Sequence, residues 1–180
     1  MFGTEPLVVT EKEASTFIRG YTKVMLEVLG PNVAKGDTTL LPLLAAARAK
    51  YSTDRSLLDS ALRALEAKSV IIAPEVISAV RGLELKKWIY LKDTSSYSIF
   101  LDPSADVAYG VLGLTDRIRD IVGGTGAVVE TGILPYLGRY VSDGIVSNLV
   151  WLGPNYRKDF ATSLREIRAQ GQFHKACASV

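Results

Sequence analysis

The chain is poor in the residues that most often carry chemistry: its 180 residues include one histidine, His174, one cysteine, Cys177, and two methionines. A structural zinc takes four Cys or His ligands and a catalytic zinc takes several, so these two residues build neither without carboxylates or a second chain. Iron–sulfur ligation is out of reach of one cysteine, and no metal or other cofactor is expected. A lone cysteine also forms no intramolecular disulfide, which removes the need for an oxidising compartment. Met1 to Thr10 lacks a basic cluster followed by an apolar run, and no stretch reaches the roughly 18 apolar residues of a spanning helix. The expected location is cytoplasmic, with no membrane partner.

Charge of one sign is scarce too. There are 21 Lys and Arg against 19 Asp and Glu, a net charge of +2, and cutting after Leu83 leaves +1 on each side (10 basic against 9 acidic, then 11 against 10). Neither half is a polyelectrolyte, so nucleic-acid binding has to be sought in local clustering. What the chain has is core: 48% hydrophobic and 22% charged residues exclude a disordered linker.

Up to Leu83 the apolar spacing is helical. Phe17, Ile18, Tyr21, Val24, Met25 and Val28 fall on one face of a helix over 11–29, stopped by Gly30-Pro31. A second helix follows Thr38-Thr39, with Pro42 in its first turn, and ends near Tyr51. Ser52 or Thr53 is the expected cap of a third, bearing Leu57, Leu58, Ala61, Leu62 and Leu65. A fourth runs from Pro74 to Gly82. After Leu83 the pattern becomes that of strands: Lys87 to Leu91 and Tyr97 to Leu101 as a hairpin, Val107 to Leu114, then Ala127 to Leu134. Helical turns starting at Thr115-Asp116 separate the last two and stop at Gly123-Gly124. Arg139 to Val141 and Ile145 to Leu152 read as two further strands with a tight turn at Asp143-Gly144, before a helix from Asn155 to Gln170. Helices first and strands second predicts an α+β fold: helices over 1–83, then an antiparallel sheet or partly closed small barrel with a C-terminal helix over 84–180, as two regions or as one compact domain.

Four carboxylates beside the predicted strands, Asp102, Asp106, Glu130 and Asp143, are the remaining candidates for acid/base or metal-assisted hydrolysis. Asp102-Pro103 and Asp143-Gly144 also suit turns, in which aspartate bonds the backbone that follows, and Glu130 suits the solvent face of its strand. The Gly123-Gly124-Thr125-Gly126 cluster lies between helix and strand, the reverse of a phosphate-binding loop, and reads as a helix stop. His174 and Cys177 fall in a tail, Lys175 to Val180, that has little to pack with. The last helix has sorted charges: Arg157, Lys158, Arg165 and Arg168 share an arc of about 100°. Trp151 and Tyr156 lie nearby, so these six residues are the candidate binding surface for an anionic partner or another protein.

Gly113-Leu114-Thr115-Asp116 to Gly123, Glu130-Thr131 to Pro135, Gly138-Arg139-Tyr140-Val141-Ser142-Asp143-Gly144 and Gly153 to Arg157 together resemble a pattern in uncharacterised bacterial proteins of unknown function. The resemblance implies a bacterial cytoplasmic sheet module and carries no activity with it. The leading expectation is therefore a non-catalytic intracellular interaction or ligand-binding domain. The alternatives are a carboxylate-dependent, metal-assisted hydrolase and weak nucleic-acid binding through the basic helix. Whether the chain is an enzyme, and its oligomeric state, stay open at this point.

Overall fold

The computed structural model describes residues 7–31 and 39–177. Helix α1, Glu11–Leu29, begins at a capping box in which the Thr10 hydroxyl accepts the Glu13 amide while the Glu13 carboxylate accepts that of Thr10. It buries Phe17, Tyr21, Val24, Met25 and Val28 of the stripe its spacing predicts, together with Ala14, while Ile18 at the edge of that stripe is 40% exposed; the helix ends at Gly30. Helices α2, Leu40–Thr53, and α3, Leu57–Ala67, are joined by a turn in which the Asp54 carboxylate accepts the Ser56 amide and hydroxyl. The expected cap at Ser52 or Thr53 is thereby corrected: α2 continues through both, and Ser56 precedes α3. Thr38, one of the two residues expected to open α2, lies outside the described residues. Helix α4, Pro74–Arg81, starts on its proline as expected.

Six strands follow: β1 Glu84–Asp93, β2 Ser98–Leu101, β3 Ala108–Leu112, β4 Ala127–Tyr136, β5 Arg139–Trp151 and β6 Phe173–His174. Between β3 and β4 lies α5, Ile118–Val122, and before β6 lies α6, Pro154–Ala169. Pairing runs β1 to β2, β2 to β3, β3 to β5, β5 to β4 and β4 back to β1, which closes a five-stranded barrel; β6 pairs with β3 at Ala108 and Tyr109, ahead of the Val111–Leu112 stretch that meets β5. The sheet is mixed. Both β3–β5 and β3–β6 are parallel, which corrects the expectation of a purely antiparallel sheet.

Two further expectations change. Asp143-Gly144 is not a turn between strands but part of the continuous β5; Gly144 takes φ +76° inside the strand, and the β4–β5 register slips nearby, between Thr131 and Ile133. The C-terminal segment is held as far as it is described. His174 pairs with Tyr109, Ala176 bridges Arg139, and the Cys177 amide donates to the Gly138 carbonyl.

Strand alternation sorts the barrel side chains. Trp88, Tyr90, Phe100, Val111, Ala127, Val129 and Ile133 form the inner cluster, and Ile118 and Val122 of α5 join it. Outside, α1 to α4 pack on β3, β4 and β5 through Phe17, Val76 and Val80 against Leu134, Tyr136 and Val141. On the opposite side Leu164 and Ile167 of α6 cover Ile89, Leu91, Ile99 and Leu101 of β1 and β2. Among the described residues no helix is long and apolar enough to cross a membrane.

Candidate functional site

The four candidate carboxylates have four different surroundings. Asp102 organises the β2–β3 turn, its Oδ1 accepting the Asp106 and Val107 amides and its Oδ2 the Ser104 hydroxyl. Burial alone would raise its pKa; the Ser104 hydroxyl and the amides outweigh that and hold it below the ordinary value. Asp106 contributes only its amide to this turn and is exposed. Glu130 is half-buried on the outer side of β4 and accepts from Ser147 and Asn148 across the β4–β5 pair. Among the described residues no group of three or more His, Cys, Asp or Glu is placed to hold a metal ion.

Asp143 sits where the helical layer meets the barrel. Both its oxygens accept from the Arg48 Nη1, at 2.9 and 2.8 Å. Oδ2 also takes the Tyr21 hydroxyl, and Oδ1 the Gly132 and Ile145 amides and, at 3.4 Å, the Thr131 hydroxyl. Burial pushes the carboxyl above its ordinary pKa, opposed by the Arg48 guanidinium and by these donors; burial and the Asp143 charge likewise push the Tyr21 phenol well up. Every lone pair of the carboxylate is in use. Asp143 does line the floor of an apolar recess of about 350 Å³ walled by Ile18, Leu40, Leu41, Leu44 and Ile121, yet it offers a ligand no free acceptor. Its work is to tie α1 and α2 to β4 and β5.

Arg48, Tyr21 and Gly132 escape the sequence reading, although two of them leave a trace. Arg48 lies on the same buried stripe of α2 as Leu44, Ala47 and Tyr51, so a cation falls where spacing places apolar side chains. Gly132 interrupts a strand, and a Cβ there would collide with the Asp143 carboxylate, which is the close approach that an isolated strand glycine signals. Tyr21 leaves none, being indistinguishable from an ordinary core aromatic.

The six residues of the expected binding surface are all exposed. Arg157 bends back, its Nε donating to the Leu152 carbonyl and its guanidinium lying over Gly126. Arg165 donates to Thr162, and the Arg168 guanidinium stacks 5.0 Å from the Phe173 ring centroid. Trp151, at the end of β5, packs beside Gly124 with half its surface free (49%), and Val150 and Tyr156 are freer still at 62 and 64%. The start of α6 thus joins a cationic helix face to an apolar and aromatic strand end.

A second set of aromatics marks the barrel mouth opposite α5. Trp88 and Tyr109 meet edge to face at 5.7 Å, Tyr109 and Tyr140 at 4.9 Å, and the His174 ring lies 5.7 Å from Tyr109. The Trp88 indole donates to the Thr131 carbonyl, which fixes its ring. Compared with known proteins, the chain matches no family model, no curated protein and no solved structure.

Proposed function

We propose that the protein is a non-catalytic binding module whose partner is a single-stranded nucleic acid, held by the α6 cations and the strand end beside them. The observation that carries this reading is the junction of Trp151 and Tyr156, each about half or more exposed, with Arg157, Lys158, Arg165 and Arg168 on one face of the adjoining helix. Exposed rings stack bases without regard to sequence, and a cationic stripe follows the phosphates. Small five-stranded Greek-key barrels are a common frame for oligonucleotide and oligosaccharide binding, a support from shape alone. The engaged state of Asp143, and the separate turn and cross-strand roles of Asp102 and Glu130, favour binding over hydrolysis.

Fluorescence anisotropy with a labelled single-stranded oligonucleotide tests it. With three or four phosphates neutralised, affinity falls about 20- to 50-fold between 50 and 200 mM salt. Trp151→Ala costs about 5- to 150-fold through lost stacking. Binding that ignores salt, or that survives Lys158→Glu with Arg165→Glu unchanged, overturns the proposal.

A further inference from the structure

The mouth of the barrel opens into a cleft of about 590 Å³ between α4 and the β4–β5 hairpin, continued by a smaller recess. The two share Gly82, Glu84, Pro135 and Tyr140, and the smaller one reaches Trp88 and Tyr109. Its chemistry differs from that of α6. Trp88, Tyr109 and Tyr140 line the smaller recess, with the Tyr109 ring touching the other two, and Glu75 and Glu84 line the cleft. Arg81 is also on the lining and is paired with Asp59, and Arg139 nearby is paired with Glu13.

One cation already uses this surface. The Lys86 ammonium lies 5.1 Å from the centroid of the Trp88 ring and 2.5 Å from Glu84. An aromatic face next to a carboxylate is the arrangement that recognises ammonium groups, the ring quadrupole and the anion acting together. The two tyrosines report the same field. Burial raises both phenols, and the Glu84 carboxylate raises each of them further.

We propose that this mouth binds a small organic cation, its ammonium set against the Trp88, Tyr109 and Tyr140 rings and countered by Glu84, with Lys86 as the internal group it displaces. The cleft is several times larger than an ammonium head, so the ligand carries an apolar or aromatic body that rests on Pro135 and Leu137.

The proposal stands apart from nucleic-acid binding at α6 and is tested separately. The chain has two tryptophans, so the full chain carrying Trp151→Phe leaves Trp88 as the reporter. Choline is the probe, and 3,3-dimethylbutan-1-ol is its neutral isostere. The expected result is a saturable change in Trp88 emission with choline and none with the alcohol. Glu84→Gln weakens binding and Lys86→Ala tightens it, each by about 2- to 5-fold, as for an exposed cation–π contact. Circular dichroism shows that both variants keep the fold. No saturable change up to about 50 mM, well past the millimolar constants of weak sites, overturns the proposal. So does equal binding of the alcohol, or a Lys86→Ala variant that binds choline no better.

Discussion

Between the barrel and the four N-terminal helices lie Phe17, Val76, Val80, Leu134, Tyr136 and Val141, together with an ion pair whose side chains are 2% and 0% exposed. Between the barrel and α6 the helix itself contributes two fully buried side chains, Leu164 and Ile167, with Phe160 half-buried beside them. The first contact is a fused core with a polar lock. The second resembles a helix laid on an already complete outer face, whose free side is cationic. The contrast assigns different work to the two layers: one completes the fold, and the other presents a surface.

Breaking the lock is the largest effect expected. Arg48→Met leaves a buried carboxylate without its cation, and Asp143→Asn leaves a buried guanidinium without its anion, each costing about 3–5 kcal/mol. That is a large share of the ~5–15 kcal/mol stability of a domain. The double variant, which buries no lone charge, costs less than the sum by about 0.5–3 kcal/mol. Urea unfolding of the three variants checks this. A single substitution costing under about 1 kcal/mol would mean that the helical layer is held by apolar packing alone.

The lock also marks where sequence reasoning stopped. The bounds of α1 and the starts of α4 and β4 were legible because each has local causes: a 3.6-residue stripe, a proline at the first turn, a glycine stop, a period-2 run. The cationic stripe of α6 was legible for the same reason, since it depends only on spacing within one helix. A small barrel is one of the two arrangements the strand pattern suggests, but the pairing that closes it is not legible. Closure requires β3 to pair in parallel with β5 across an intervening helix and a strand, and nothing local to Val111 or Tyr140 announces that partner. Asp-Gly is a turn dipeptide, so the local sequence points Asp143 to a turn; the deciding contact comes from Arg48, 95 residues earlier, and only the folded chain supplies it.

A smaller effect probes the other layer. Leu164→Ala removes one of the two side chains that α6 buries outright, and costs about 2 kcal/mol, the low end for a buried leucine, because an edge helix can settle into the space. Native-state hydrogen exchange sharpens the comparison: α6 amides should exchange through a local opening well below the global unfolding free energy, while those around Tyr21 and Val24 in α1 exchange only with global unfolding. Equal protection of both helices would break the asymmetry and make α6 part of the core.

The smallest effect concerns how the helical layer grips the β4–β5 hairpin. The Glu13 carboxylate accepts twice, from the Thr10 amide within the capping box and from Arg139 at 2.7 Å, while its own amide donates to the Thr10 hydroxyl and its carbonyl accepts the Tyr136 hydroxyl. Burial alone would raise its pKa; the Thr10 amide and hydroxyl and the Arg139 charge outweigh it and set it below the ordinary value. A carboxylate depressed in the folded state stabilises above its unfolded pKa and loses that contribution as pH falls through the folded value. Glu13→Gln keeps the capping geometry and removes only the charge, so it should cost about 0.5–1 kcal/mol at pH 7. The gap to the unaltered chain should close as pH falls below the ordinary glutamate value of about 4.3, because the two side chains then carry the same charge. Denaturant midpoints of both proteins along that range make the comparison, and other carboxylates cancel in the difference. A gap that stays constant down the titration would mean that Arg139 gains nothing from the anion. The hairpin would then be joined to α1 by the Tyr136 hydroxyl and the core alone, leaving Arg48–Asp143 as the electrostatic tie between the layers.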